Sequence, residues 1–164
     1  MKKIHFIALL FLLAIASSSF GQSFMKGTKT VNLGLNTGYG IGLVGSVEAA
    51  VTDDISAGLI ASVSGRNYFG SKYSYIVLGA RGSYHLGRIL EDAGVNMDKL
   101  DLYLGLTGGL RSVRYNTVYA SYGGADSGIY IGGHAGVRYQ LKEKLGLYLE
   151  GGYPLSSIGV TFKL

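Results

Sequence analysis

LSSIGVTFKL, residues 155–164, alternates without a break from Ser157 onward. Ile158, Val160, Phe162 and Leu164 share one parity; Ser157, Gly159, Thr161 and Lys163 share the other. A period of two with one apolar and one polar face marks a β-strand. The same alternation fills the chain upstream. Val31, Leu33 and Leu35 oppose Asn32, Gly34 and Asn36. Leu43, Val47, Ala49 and Val51 oppose Ser46, Glu48 and Thr52. Ile55 to Val63 alternates with Ser56, Gly58, Ser62 and Ser64, and Ile76 to Tyr84 with Val77, Gly79, Arg81, Ser83 and His85. Leu102 to Leu110 alternates with Asp101, Tyr103, Thr107 and Arg111. Ile129 to Tyr139 alternates with Tyr130, His134, Arg138 and Gln140, and Leu145 to Tyr153 with Tyr148 and Glu150.

That makes eight strands, each expected at roughly nine to eleven residues, the length a tilted strand needs to cross a bilayer. Turn signals fall at 52–54, at 87–99 with one helical turn near Ile89–Ala93, and at 141–144. Those lie on the side of both termini. Loops are expected on the other side at 37–42, 66–71, 112–127 and 152–155. The strand charges share parity with Gly, Ser and Thr, and the leucines take the other parity. A lumen eight strands wide holds only side chains, so the leucines belong outside, in lipid. A lipocalin-like soluble barrel needs the opposite polarity. The expected fold is all-β, an eight-stranded antiparallel up-and-down transmembrane β-barrel over residues 22–164.

The C-terminal strand, with Ser157, Gly159, Phe162 and Leu164, resembles the assembly signal of bacterial outer-membrane β-barrels, although Leu164 stands where Phe or Tyr is usual. Over about residues 29–164 the chain resembles the small OmpA/OmpX-type family. The resemblance implies a Gram-negative outer membrane with both termini periplasmic, and a monomer handled by the barrel-assembly machinery and surrounded by lipid and lipopolysaccharide. That family's functions are mixed, and fold does not choose among them. A non-enzymatic structural or surface-interaction role leads, with the surface ligand unknown. A narrow porin-like channel comes second and a lipid A-modifying enzyme third.

Composition agrees with a curved sheet. Of 164 residues, 27 are Gly, 13 Tyr, one Pro and none Cys or Trp. Glycine at that level, against about 7% in average proteins, suits crowded strands. The absence of cysteine excludes a disulfide scaffold and a Cys-based metal site. Lys2 and Lys3, the apolar run Ile4–Ala16 and the small residues up to Gly21 have the order of a secretory signal peptide, residues 1–21, cut before Gln22. A retained anchor would need a longer apolar run. Without those lysines the net charge of +5 falls to about +3, too little to argue for nucleic acid.

No catalytic or metal site is expected. His85 and His134 lie on different strands without metal-ligand spacing, and no His is placed on the lipid face or in an external loop beside a Ser. The glycine runs at 108–109 and 132–136 open no helix, so no cofactor is expected. Glu48, Arg81, Arg138 and Glu150, with Asp101 and Arg111 nearer the ends, are expected to form a lumen charge network, because buried charge needs a partner. Tyr39, Tyr84, Tyr139, Tyr153 and Phe162 carry lipid-face parity near strand ends, as aromatic girdles do. Arg66, Lys72, Arg114 and Tyr119 are possible surface contacts.

A charge at Phe162 or Leu164 is expected to lower the folded, heat-modifiable band strongly, and the same change at Lys163 to lower it little. Equal losses at all three positions on a semi-native gel would show that the parity is misread.

Overall fold

The computed structural model describes residues 24–68, 71–116 and 124–164; the signal-peptide segment and Tyr119 lie outside them. Eight strands form one closed barrel in chain order. They are β1 (Lys29–Asn36), β2 (Ile41–Ala50), β3 (Ile55–Tyr68), β4 (Ser71–His85), β5 (Leu100–Asn116), β6 (Gly124–Lys142), β7 (Leu145–Gly152) and β8 (Ser157–Lys163). Each pairs antiparallel with the next, and β8 closes on β1, with Leu35 opposite Ile158 and Val31 opposite Phe162. Closure leaves no free sheet edge along the paired length, which is what lets strands stand in lipid. No helix among the described residues is long and apolar enough to cross a membrane.

The burial pattern follows the alternation. Leu43, Leu59, Leu78, Leu106, Leu110, Ile129 and Ile131 stand exposed on the outer surface, while Glu48, Arg81, Asp101, Arg138 and Glu150 are buried inside. The polarity is thus inverted relative to a soluble core. Inward glycines give the large inward side chains their room. A Cβ on Gly136 would lie 2.5 Å from Tyr103 Cζ, and one on Gly34 2.5 Å from the Tyr148 hydroxyl. Gly79 is covered in the same way by the Tyr130 hydroxyl.

Two loops expected from the sequence are largely strand. β3 and β4 stay paired up to Tyr68 and Ser71, and β5 and β6 up to Tyr115 and Gly124. Polar composition there suggested loops. Once a hairpin leaves the apolar band, however, both its faces can be wet while the hydrogen-bond ladder continues. The rim is therefore uneven. β2 begins at Ile41, opposite Gly65, and β7 ends at Gly152, opposite His134. Beyond those points β3–β6, of 14 to 19 residues, rise as a four-stranded half-cylinder above the shorter strands. At the terminal end the expected helical turn is a short helix, α1 (Gly87–Asp92).

Amides in the paired segments 112–114 and 125–127 are expected to exchange as slowly as ladder amides lower in the barrel. Fast exchange at these positions in micelle-embedded protein, read by NMR, would restore the loop assignment.

Candidate functional site: a sealed lumen and an aromatic mouth

The ionic layer is built around Glu48 on β2. Its Oε1 accepts from Arg138 Nη2 at 2.6 Å and from Asn32 Nδ2 at 2.9 Å, and its Oε2 accepts from Ser56 Oγ at 3.1 Å. Arg81 Nε faces the same carboxylate at 3.8 Å, an ion-pair contact without a hydrogen bond. Arg81 forks onto Glu150 through Nη2 at 2.5 Å and Nη1 at 3.3 Å, the bidentate geometry that guanidinium favours. Tyr103 donates to Glu150 at 2.9 Å, and the Arg138 guanidinium lies 4.3 Å from the Tyr103 ring centroid. Arg138 also donates to Asp101 at 3.2 Å. The layer joins β1 through β7 across the lumen. Every charge in it is almost fully buried, so each depends on its partners.

Arg111 is not part of this group. It lies at the far mouth, where Nη1 donates to the Tyr39 hydroxyl at 3.1 Å and Nη2 is 3.8 Å from Asp126. Two histidines join the inner polar layer instead. His134 sits 2.9 Å from Ser83 Oγ and 3.0 Å from Thr107 Oγ1. His85 is 2.7 Å from Asp101 and 3.0 Å from Ser56.

Ser56, His85 and Asp101 have the distances of a hydrolytic triad, an arrangement that sequence reasoning missed because it depends on the register of three strands. Its surroundings do not suit acyl transfer. Ser56 is buried, its hydroxyl also lies within hydrogen-bonding distance of Glu48, and a carboxylate there would repel a developing oxyanion. The Phe24 ring stacks on His85 with centroids 3.4 Å apart, closing the terminal end. Outside it, a cavity of about 320 Å³ is lined by Phe24, Lys26, Asp53, His85, Arg88 and Glu91.

A second, apolar layer was not anticipated. Val44, Ile60, Val77, Tyr130 and Leu155 form one buried cluster. Along their strands Val44, Ile60, Val77 and Tyr130 each lie four residues farther from the termini than Glu48, Ser56, Arg81 and His134. The apolar layer therefore lies above the ionic one and fills the lumen toward the far end.

Tyr84, Tyr139 and Phe162 face outward near the terminal end, as their parity requires; Tyr153, just past the end of β7, is exposed at the far end and meets the edge of the Tyr39 ring. Tyr39 departs from its parity. β1 ends at Asn36, so the strand no longer governs its direction, and its ring turns across the mouth onto Tyr75, centroids 5.1 Å apart. Burial raises the Tyr39 hydroxyl above its ordinary pKa, and hydrogen bonding with Tyr153 adds to the shift. Arg66, Lys72 and Arg114 are exposed on the rising sheet.

Barrel closure, inverted polarity and a side-chain-filled lumen define a small eight-stranded transmembrane β-barrel. No family model and no curated protein matches the sequence. Solved structures do. The N-terminal β-barrel domain of Pseudomonas aeruginosa OprF is 15% identical, with 85% of this chain and 98% of that one covered, at a TM-score of 0.58. Neisserial surface protein A is 14% identical over 84% and 95%, at 0.57. Ail, the attachment invasion locus protein of Yersinia pestis, is 13% identical over 85% and 100%, at 0.53. At these identities the likeness is one of fold.

Arg81→Leu is expected to strand Glu150 and to destabilise the barrel by roughly 3–5 kcal/mol. Glu150→Leu should cost a similar amount, and the double variant less than the sum, because no buried charge then lacks its fork. Urea unfolding of the three variants from lipid vesicles reads this cycle, and strict additivity would dissolve the pair.

Proposed function

We propose that the protein is a non-enzymatic outer-membrane barrel that works by surface contact. In this reading residues 1–21 direct export and are removed, both termini face the periplasm, and the rising sheet β3–β6 stands outside the cell. The observation that carries the reading is a lumen closed by two layers beneath a wall that rises past the rim. A protein built to pass solutes does not fill its own bore, so the apolar layer weighs against the narrow-channel alternative. The surroundings of Ser56 weigh against a lipid-modifying enzyme.

Lys72 and Arg114 share the lipid-side face of the sheet just beyond the apolar band, at a level suited to lipopolysaccharide phosphates. The C-terminal strand supplies the contact for the assembly machinery. Ail, a barrel of this fold, has been solved in complex with the heparin analogue sucrose octasulfate.

Purified protein in planar bilayers is expected to show no stable conductance, and Lys72 on intact cells to be labelled by a membrane-impermeant amine reagent. Persistent unitary currents would promote the channel. An unlabelled Lys72 in cells where the barrel is folded would reverse the orientation.

A further inference from the structure

The outward apolar face is not equally tall all round the barrel. It spans residues 129–141 on β6, 102–110 on β5 and 41–49 on β2, but only 31–35 on β1 and 145–149 on β7. At about 3.3 Å per residue and a tilt near 40°, the β6 stretch covers roughly 30 Å along the membrane normal, and those of β1 and β7 roughly 10 Å. The stretches start together at the terminal end, where Phe162 lies opposite both Val31 and Leu145, and Tyr84 opposite both Ile55 and Leu104. The shortfall is therefore a notch in the far end. Leu149, the last outward leucine of β7, lies opposite Val137, and the outward face of β6 stays apolar from there up to Ile129. The floor of the notch is polar. Tyr153 is exposed and its amide donates to Gly133 O at 2.9 Å, while the Thr37 amide donates to Ser156 O at 2.8 Å. The ladder gives an independent sign. Pairing of β6 with β7 ends at His134, so beyond Gly133 that flank of β6 has no strand beside it among the described residues, although Ile131 and Ile129 still face outward, 76% and 83% exposed. Hydrocarbon does not tolerate backbone polar groups left without a partner.

We propose that the polar surface of the far leaflet descends into this notch, so that lipid headgroups and their water cover the ends of β7 and β8 and the open flank of β6. The barrel then holds a full-thickness bilayer around β2–β6 and a thinned one at the seam where β8 closes on β1. Tyr153 marks the lowered level, since tyrosine favours the membrane interface. Gly133, which it bonds, is four residues short of Ile129, a drop of about 10 Å along the normal. Both observations call for this one occupant. Headgroup water satisfies the open backbone, and a leaflet lowered to Tyr153 matches the short apolar stretches. Bilayers yield to a short hydrophobic surface by local thinning at modest cost. A second copy in the same membrane cannot fill the notch with a strand, because that strand would run on down through the place that β7 holds. The inference rests on the membrane-spanning fold and stands apart from the surface-contact role.

The chain contains no Trp, so a single introduced Trp reports one place. Four variants of the full mature protein serve: Tyr153→Trp at the notch, Ile129→Trp at the top of β6, and Phe162→Trp and Tyr139→Trp at the terminal end of β8 and β6. Each is folded into phosphatidylcholine vesicles, with heat-modifiable mobility confirming the barrel, and its fluorescence is quenched by lipids brominated near the headgroup or at mid-chain. Positions 153 and 129 are expected to read the same shallow depth, and positions 162 and 139 to match each other. A reading at 153 about 10 Å deeper than at 129 would mean a flat leaflet and end the proposal. Agreement at the far end with a mismatch between 162 and 139 would mean that the barrel tilts in place of thinning the leaflet. A Trp at 153 that no brominated lipid reaches would hand the notch to a protein partner, which also overturns the assignment.

Discussion

Glu48 is the constraint on which the rest depends. A carboxylate in a lumen with room only for side chains must collect donors, and it collects them from β1, β3 and β6, with Arg81 of β4 facing it. The barrel's outer surface cannot supply comparable cohesion, because lipid is as apolar as the leucines that face it. What distinguishes the closed barrel from an open sheet is therefore the backbone ladder plus this ionic crosspiece. The ladder sets the shape, and the crosspiece resists shear between distant strands.

Sealing follows from the same arrangement. An ionic layer alone can admit water, since each charge gains from hydration. The side chains of Val44, Ile60, Val77 and Leu155 offer water nothing to bind, and the Tyr130 hydroxyl is buried among them. At the other end the Phe24–His85 stack closes the lumen next to the terminal-side cavity. The polar interior thus lies between an apolar layer and an aromatic stack, and its ion pairs gain from the low local dielectric.

Faces were legible in the sequence and pairings were not. Alternation fixes which residues point inward, so Glu48, Arg81, Arg138 and Glu150 could be assigned to the lumen one strand at a time. Which inward residues meet depends on register around the whole cylinder. Glu48 and Arg138 are 90 positions apart, and the Ser56–His85–Asp101 contact needs three strands in phase. Strand length was misjudged where the chain leaves the bilayer. The wet segments 112–115 and 124–127 lose the apolar face that alternation detects, while their pairing continues. Tyr39 and Arg111 were misplaced for related reasons: one lies beyond the end of its strand, and the other lies on the lumen parity but above the lumen.

The tyrosine-over-glycine contacts bear on how freely such a sequence can drift. Tyr103 occupies the space of a side chain at Gly136, Tyr130 that at Gly79, and Tyr148 that at Gly34. Each layer of the interior thus has a fixed volume, shared between partners on different strands, and neither partner is individually required. A bulky residue can move across the lumen if a glycine moves the opposite way, and the cylinder is unchanged. Two sequences can fill one cross-section by different partitions of the same space. That freedom accounts physically for a barrel shared with proteins only 13–15% identical to this one.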